Sequence, residues 1–351
     1  MILPPLDRQR IVLTGATSGI GLATARMAAA AGARLILVAR NEAALDKLAE
    51  ELGGPAVARP CPGDVAEAAT HARAARLAQE AFGGFDSWVN DAGAFIYGRV
   101  DEVSEADQRR LFDVTYWGVL HGSLEALRGL PASGGSLVNI GSVLSLRTIA
   151  LQGPYCAAKH AVKALTDALR MEARMAGRHV NVALVKPAAI DTPYMEHART
   201  YLDAPGTRNP PPSYHPRLVA QAILHACTHE VRDMTVGGAG AMIAVMGQFA
   251  PALTDRVMEL LARPMQESDQ PGRAARRDNL WHPREDLAET SSLQGPPPRR
   301  TSLLLQAQMN PLATAAAGVA GLAALALLAR PRPRRASGPA QAALPRMRRP
   351  G

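Results

Sequence analysis

The run Thr14-Gly15-Ala16-Thr17-Ser18-Gly19-Ile20-Gly21 follows a β-branched stretch, Arg10-Ile11-Val12-Leu13, and opens an alanine-rich helical pattern. A strand that ends in a glycine-rich turn and continues as a helix is built to let backbone approach a phosphate. Gly15 permits the tight turn, Gly19 lets the main chain come close to a pyrophosphate, and Gly21 lets helix and strand pack together. The amides around Ser18, Gly19 and Ile20 then lie at a helix N-terminus, where unpaired N–H groups and the positive dipole end favour an anion. The spacing Gly-x-x-x-Gly-x-Gly differs from the commoner Gly-x-Gly-x-x-Gly.

After this loop, short β-branched runs alternate with helical patterns. Strand runs fall at 11–14, 34–39, 56–59, 87–90, 137–141, 180–186 and 234–236, and helical periodicity at 20–31, 42–52, 67–82, 105–127, 155–175 and 216–228. Such alternation implies an α/β fold, a Rossmann-type doubly wound parallel sheet with helices on both faces. Ser104 is placed as a helix N-cap, with Asp107 where a capping-box acid would stand.

Further along, Gly153-Pro154-Tyr155-Cys156-Ala157-Ala158-Lys159 begins a helix, so Tyr155 and Lys159 share one face four residues apart. A phenol is a poor acid or base near neutrality, and a nearby ammonium favours the phenolate. Ser142, at the end of a β-like run, can bond the same reacting oxygen. These three residues suit proton transfer coupled to carbonyl reduction or alcohol oxidation. Together with Asn90-Asp91-Ala92-Gly93 after the fourth strand run, the glycine loop, the serine and Tyr-x-x-x-Lys stand in the order and at the intervals of the short-chain dehydrogenase/reductase family. The chain resembles that family from about residue 8 to 238.

The resemblance implies that Asp64 and Val65 lie beside an adenine and that Asn90, Ala92 and Gly93 run along the cofactor. It further implies that Lys159 holds the ribose. Thr192 matches a threonine that contacts the nicotinamide end or the pyrophosphate, and the preceding Pro187-Ala188 stands where the family often has Pro-Gly. Thr115 occupies the place of an asparagine that kinks its helix and supports a proton relay. Ala39 puts no acid at the end of the second strand, whereas Arg40 offers a fork of donors to a 2′-phosphate, which points to NADP rather than NAD. The segment 193–214, with Tyr194, Met195, His197 and Tyr201, is expected to cover the site and favour an apolar substrate. Such proteins commonly form dimers or tetramers, so a homo-oligomer is expected on the same resemblance.

The formal net charge of +8 resides almost wholly in seven arginines between Arg330 and Arg349, which gives no basic face for nucleic acid. Cys61, Cys156 and Cys227 lack a Cys-x-x-Cys spacing and read as reduced thiols of a cytoplasmic protein, and no metal-ligand pattern is present. The chain divides into a catalytic domain at 1–240, an amphipathic helical segment at 241–265, a linker at 266–310, a possible transmembrane helix at 311–330 and a basic disordered tail at 331–351. The run 312–329 is at the lower length limit for a bilayer span, so an anchor, an alanine-rich soluble helix and disorder all stay open. The reading that follows is an NADP-dependent oxidoreductase acting on a small alcohol, ketone or aldehyde. A nucleotide-binding scaffold or sensor of the same fold, with or without membrane tethering, is the alternative.

Overall fold

Seven short apolar runs pair side by side to make the central sheet. In chain order they are β1 (Arg10–Thr14), β2 (Arg34–Ala39), β3 (Ala58–Pro62), β4 (Ser87–Asn90), β5 (Gly135–Ile140), β6 (Val180–Pro187) and β7 (Asp233–Val236). The computed structural model describes residues 3–269, 278–284, 287–293, 295–316, 318 and 319. All strands are parallel, in the order β7-β6-β5-β4-β1-β2-β3. This order reverses direction at β1, which lies between β2 and β4, with Leu13 opposite Leu37 on one side and Val89 on the other. The third strand runs a few residues later than the pattern suggests, because Gly54–Ala56 forms a 3-10 turn before it.

The helices between the strands are α1 (Gly19–Ala30), α2 (Glu42–Glu51), α3 (Ala68–Phe82), α4 (Glu105–Phe112), α5 (Gly118–Gly129), α6 (Gly153–Met175) and α7 (Pro216–Thr228). Alternate side chains of each strand point to opposite faces, so burial on both sides produces two cores. Ile11, Leu13, Leu35 and Leu37 pack with Leu22, Leu45, Leu48, Leu218 and Ile223 from α1, α2 and α7. Val12, Ile36, Val38, Trp88 and Leu137 pack on the other face with Ala74, Ala126, Ala158 and Leu169 from α3, α5 and α6.

The helical pattern at 105–127 is one helix in sequence but not in space. A π turn at Asp113–Trp117 separates α4 from α5, and the Gly118 N–H donates to the Asp113 carbonyl five residues back. Ser104 caps α4 by accepting from the Asp107 N–H at 3.2 Å. The Asp107 carboxylate does not complete a capping box. It accepts instead from Tyr201 Oη at 2.7 Å and Trp281 Nε1 at 2.8 Å, and it pairs with Arg199.

Two more helices, α8 (Gly238–Phe249) and α9 (Pro251–Gln266), follow the sheet, and α10 (Leu303–Met309) lies beside β7, with Gln308 bonding both Thr235 main-chain groups at 2.9 Å. The sequence reads 266–310 as a linker, yet the described parts of 278–309 hydrogen-bond back to the catalytic domain at many points. Asn310–Gly351 forms a separate unit, described only at its start, where 311–316, 318 and 319 are helical. Most of the uncharged run 312–329 and all of the basic tail lie outside the described residues. Among the described residues no helix is long and apolar enough to cross a membrane.

The contact between α5 and β4 is set by the absence of a side chain. A Cβ on Gly122 would stand 2.1 Å from Asn90 Oδ1 and 2.8 Å from Trp88 Nε1, whose mutual hydrogen bond is 2.9 Å. Gly122→Ala is therefore expected to destabilise the chain by about 1–3 kcal/mol, the usual cost of overpacking. The urea-unfolding midpoint should fall accordingly, and an unchanged midpoint would show that helix and strand can separate freely.

Candidate active site

A parallel sheet sends every strand's carboxyl end to the same edge, and a cavity opens there where the order reverses at β1. Of the residues singled out from the sequence, Gly15, Ser18, Gly19, Ile20, Arg40, Asp64, Val65, Ala92, Gly93, Ser142, Tyr155, Lys159, Pro187 and Thr192 all line this one cavity. Gly15 and Gly19 have φ of 74° and 54°, left-handed values that a glycine adopts without strain. A Cβ on Gly19 would come within 3.1 Å of Thr192, which places that threonine beside the loop. A Cβ on Gly21 would stand 2.1 Å from the Gly15 carbonyl, so this glycine serves close packing and lies behind the cavity wall.

Asn90 is a correction. Its side chain is buried and turned into the sheet, donating to Asn139 Oδ1 at 2.9 Å and accepting from Trp88. Asn139 continues to Thr166 Oγ1 at 3.0 Å, so the pair ties β4 and β5 to α6 and does not face the cavity. Thr115 is also behind the wall: its hydroxyl accepts from the Ala94 N–H at 3.2 Å inside the π turn. The distorted helix is thus present with threonine where the family pattern has asparagine.

Tyr155 is buried, its ring 4.5 Å from Phe95 by centroid. Burial drives its phenol above the ordinary value, opposed by hydrogen bonding to Ser142 and Tyr194. Ser142 is held in place as the cap of a short 3-10 turn, where its hydroxyl accepts from the Leu144 N–H at 3.0 Å. Lys159 donates to the Ile140 carbonyl at 2.7 Å, with its Nζ 5.8 Å from the Tyr155 ring centroid. Burial pushes this amine down to about 8, partly countered by Asp91. Asp91 is itself pushed up to about 7 by burial, held back by the Lys159 charge and the Gly21 N–H.

Sequence reasoning placed Tyr194 in a covering loop without a chemical part. Its hydroxyl donates to the Ala94 carbonyl at 2.9 Å and is a hydrogen-bonding neighbour of Tyr155. Only the tertiary approach of 193–195 to α6 reveals this. Part of the cavity wall is apolar, made by Phe95, Leu144, Ile149, Met195, Ile243, Met258, Leu261 and Met265, the last four from α8 and α9. Buried Gln152 and Gln266 meet within it at 2.5 Å. Arg40 and Asp64 are already engaged. Arg40 donates to the carbonyls of Leu280 at 3.3 Å and Asn279, and Asp64 pairs with Arg110.

Residues 9–202 match the family model described as short chain dehydrogenase. The chain is similar to an uncharacterized oxidoreductase of Bacillus subtilis, 38% identical over 332 residues that cover 92% of this chain and 91% of that protein. That span necessarily includes 278–293. Dehydrogenase/reductase SDR family member 7B of Bos taurus is 32% identical, over 74% of this chain and 82% of its own length. Among solved structures, a short chain dehydrogenase/reductase from Burkholderia phymatum in complex with NAD is 27% identical with a TM-score of 0.63, covering 72% of this chain and 96% of that one. A short-chain dehydrogenase from Streptomyces avermitilis is 26% identical with a TM-score of 0.60, covering 73% and 97%.

The buried amine yields a pH prediction. Below pH 8 the folded chain carries a desolvated Lys159 charge and bears its full cost. Between about 8 and the ordinary lysine range of roughly 10.4, the unfolded chain binds this proton and the folded chain does not, so stability rises with pH. Lys159→Met lacks that rise, and the unpartnered Asp91 acts in the same direction. The stability difference should therefore move in favour of the unsubstituted chain as pH increases. Urea unfolding of both chains at pH 7.5 and 9.5 tests it, and parallel pH profiles would contradict the assignment.

Proposed function

The chain belongs to the short-chain dehydrogenase/reductase family, and we propose that it is an NADP-dependent member that interconverts an apolar secondary alcohol and ketone, or a primary alcohol and aldehyde. It is an NAD(P)-dependent dehydrogenase/reductase. The observation that carries the finer reading is the single cavity. It joins the glycine loop and Arg40, the reacting trio Ser142, Tyr155 and Lys159, and an apolar stretch of wall.

The residues fit a dinucleotide. The loop has no side chain at Gly15 or Gly19 to fill the cradle, though the Gly19 N–H donates to the Ala288 carbonyl at 2.9 Å, and Arg40 stands at the end of β2 where a 2′-phosphate is read. Asp64, Val65, Ala92, Gly93, Pro187 and Thr192 would line the bound cofactor. When bound, the nicotinamide supplies or accepts the hydride. In reduction, Tyr155 gives its proton to the substrate oxygen, and in oxidation it takes one from the hydroxyl. Its raised pKa keeps the phenol protonated in the resting site, ready as an acid. Lys159 provides the nearby cation that favours the phenolate once that proton has left, and it holds the ribose. Ser142 donates to or accepts from the same oxygen and fixes its position. Thr115 supports the π turn next to Ala94, and through it the floor of the cavity. The walls contributed by α8 and α9 favour a substrate with a sizeable apolar body.

Two measurements test this reading. Tyr155→Phe should lose turnover by about 10²-fold or more, the range for a missing general acid, and should bind NADP⁺ within a few-fold of the unsubstituted chain. Substantial reduction of every responsive ketone and aldehyde by the Phe variant would sink the mechanism. Arg40→Ala should weaken NADP⁺ about 10- to 100-fold and NAD⁺ much less, because a charge-assisted contact contributes roughly 1.5–3 kcal/mol. Equal losses for both cofactors, read by calorimetric titration, would remove Arg40 from the 2′-phosphate.

A further inference from the structure

Residues 278–284 and 287–293 form a strap against the glycine loop and Arg40, far in sequence from the strands that carry them. Three parts of the cradle donate hydrogen bonds to main-chain carbonyls of this strap. The Gly19 N–H, at the first turn of α1, donates to Ala288 at 2.9 Å. The Arg40 guanidinium donates to Leu280 at 3.3 Å and to Asn279. Asn41 Nδ2 donates to Arg284 at 3.1 Å, while its Oδ1 caps α2 by accepting from the Ala44 N–H. The strap thus offers carbonyl oxygens to the donors that a pyrophosphate and a 2′-phosphate would use. The one proton of the Gly19 N–H cannot make a full bond to a carbonyl and to a phosphate oxygen at once.

The strap is pinned on both sides of these contacts. Asp278 pairs with Arg199 at 3.0 Å, Leu280 is buried, and Trp281 donates to Asp107 at 2.8 Å. On the other side Glu289 pairs with Arg26 and with Arg217, each at 3.0 Å, and Ser291 donates to Asp191 at 2.5 Å. Neither Asp278 nor Glu289 lines the cavity. The side chains of Arg199 and Arg217 are 38% and 59% exposed, so their pairs are screened by water and each contributes modestly. Pins of that strength hold a segment in place and still let it release.

We propose that the strap is a gate on the cofactor site: its carbonyls and the phosphates of the dinucleotide compete for the same donors, and the strap gives way at these contacts when the cofactor seats. This rests on the reading above that the glycine loop and Arg40 hold those phosphates. Hydrogen bonds to a charged phosphate are roughly twice as strong as those to a neutral carbonyl, so a phosphate displaces the strap from Gly19 and Arg40. The apparent affinity is then the intrinsic affinity scaled by the fraction of chains whose strap is released. The pins at Asp278 and Glu289 set that fraction from outside the cavity. Because the Gly19 donor serves the pyrophosphate common to NAD(H) and NADP(H), the gate acts on both cofactors, whereas Arg40 discriminates between them.

The test uses the full chain with Glu289→Gln and Asp278→Asn, each of which removes a pin's charge and keeps its shape, titrated calorimetrically with NADP⁺ and with NAD⁺. Each variant should bind both dinucleotides about threefold tighter or more, once thermal melts confirm folding. Affinities that fall, or stay unchanged, for either dinucleotide overturn the gate. The unsubstituted chain gives a second readout that needs no variant. Saturating NAD⁺ or NADP⁺ should speed amide exchange in 278–293, including the Asn279 N–H that donates to the His197 carbonyl at 3.0 Å. Exchange that slows or stays the same with cofactor bound also overturns it. Tightening of both dinucleotides in a chain with no preference for NADP⁺ supports the gate and removes only the NADP reading. A chain that binds neither dinucleotide overturns the cofactor reading, and the gate falls with it.

Discussion

The constraint on which the rest depends is that seven parallel strands end on one edge. A crossover helix must return the chain to the opposite edge before each new strand, so the loops after the strands share a single rim. Because the strand order reverses at β1, the loops after β1 and β4 diverge and leave a cleft between them. The glycine loop follows β1, Arg40 follows β2, Asp64 follows β3, Ala92 and Gly93 follow β4, Ser142 follows β5, and Thr192 follows β6. Residues scattered over nearly two hundred positions meet because the sheet leaves them no other place to be.

Within that cleft the electrostatics are governed by burial more than by pairing. A phenol, an amine and a carboxyl are each taken from water, and each is displaced toward its neutral form. For the tyrosine this means a retained proton, which suits the donor in carbonyl reduction. The simple expectation that Lys159 lowers the phenol directly is not the dominant effect in the resting site. Its ammonium is bonded to the Ile140 carbonyl, and Ser142 is the group whose hydrogen bond opposes the rise of the phenol. The Tyr194 contact joins the 193–195 turn to Tyr155.

Asp107 shows how one buried carboxylate organises the periphery. It accepts from Tyr201 of the covering loop and Trp281 of the strap, and it pairs with Arg199, which also holds Asp278. The covering loop and residues 278–281 are therefore fixed to the same turn of α4. Removing that carboxylate would leave Arg199 and two aromatic donors without their shared acceptor, a larger loss than any one bond.

Much of the catalytic domain was legible in the sequence because its signals are local. Period-two and period-3.6 patterns, a glycine turn between strand and helix, and Tyr155 four residues before Lys159 all fit within windows of twenty residues or fewer. The α/β alternation followed from them, and most of the residues they singled out line the cavity. Asn90 did not, since its turn into the core depends on Asn139, Trp88 and Gly122, which no local window contains. Nor did 278–293, whose proline, arginine and acidic residues have the composition of a solvated linker. Its order comes from Asp278 meeting Arg199, Trp281 meeting Asp107, and Glu289 meeting Arg26 across 79, 174 and 263 positions. The sequence by itself determined the sheet, the glycine loop and the spacing that sets Tyr155 and Lys159 on one helix face. Only the tertiary structure decided what walls the cofactor end, because a charge or an indole acquires a partner only once the chain has folded around it.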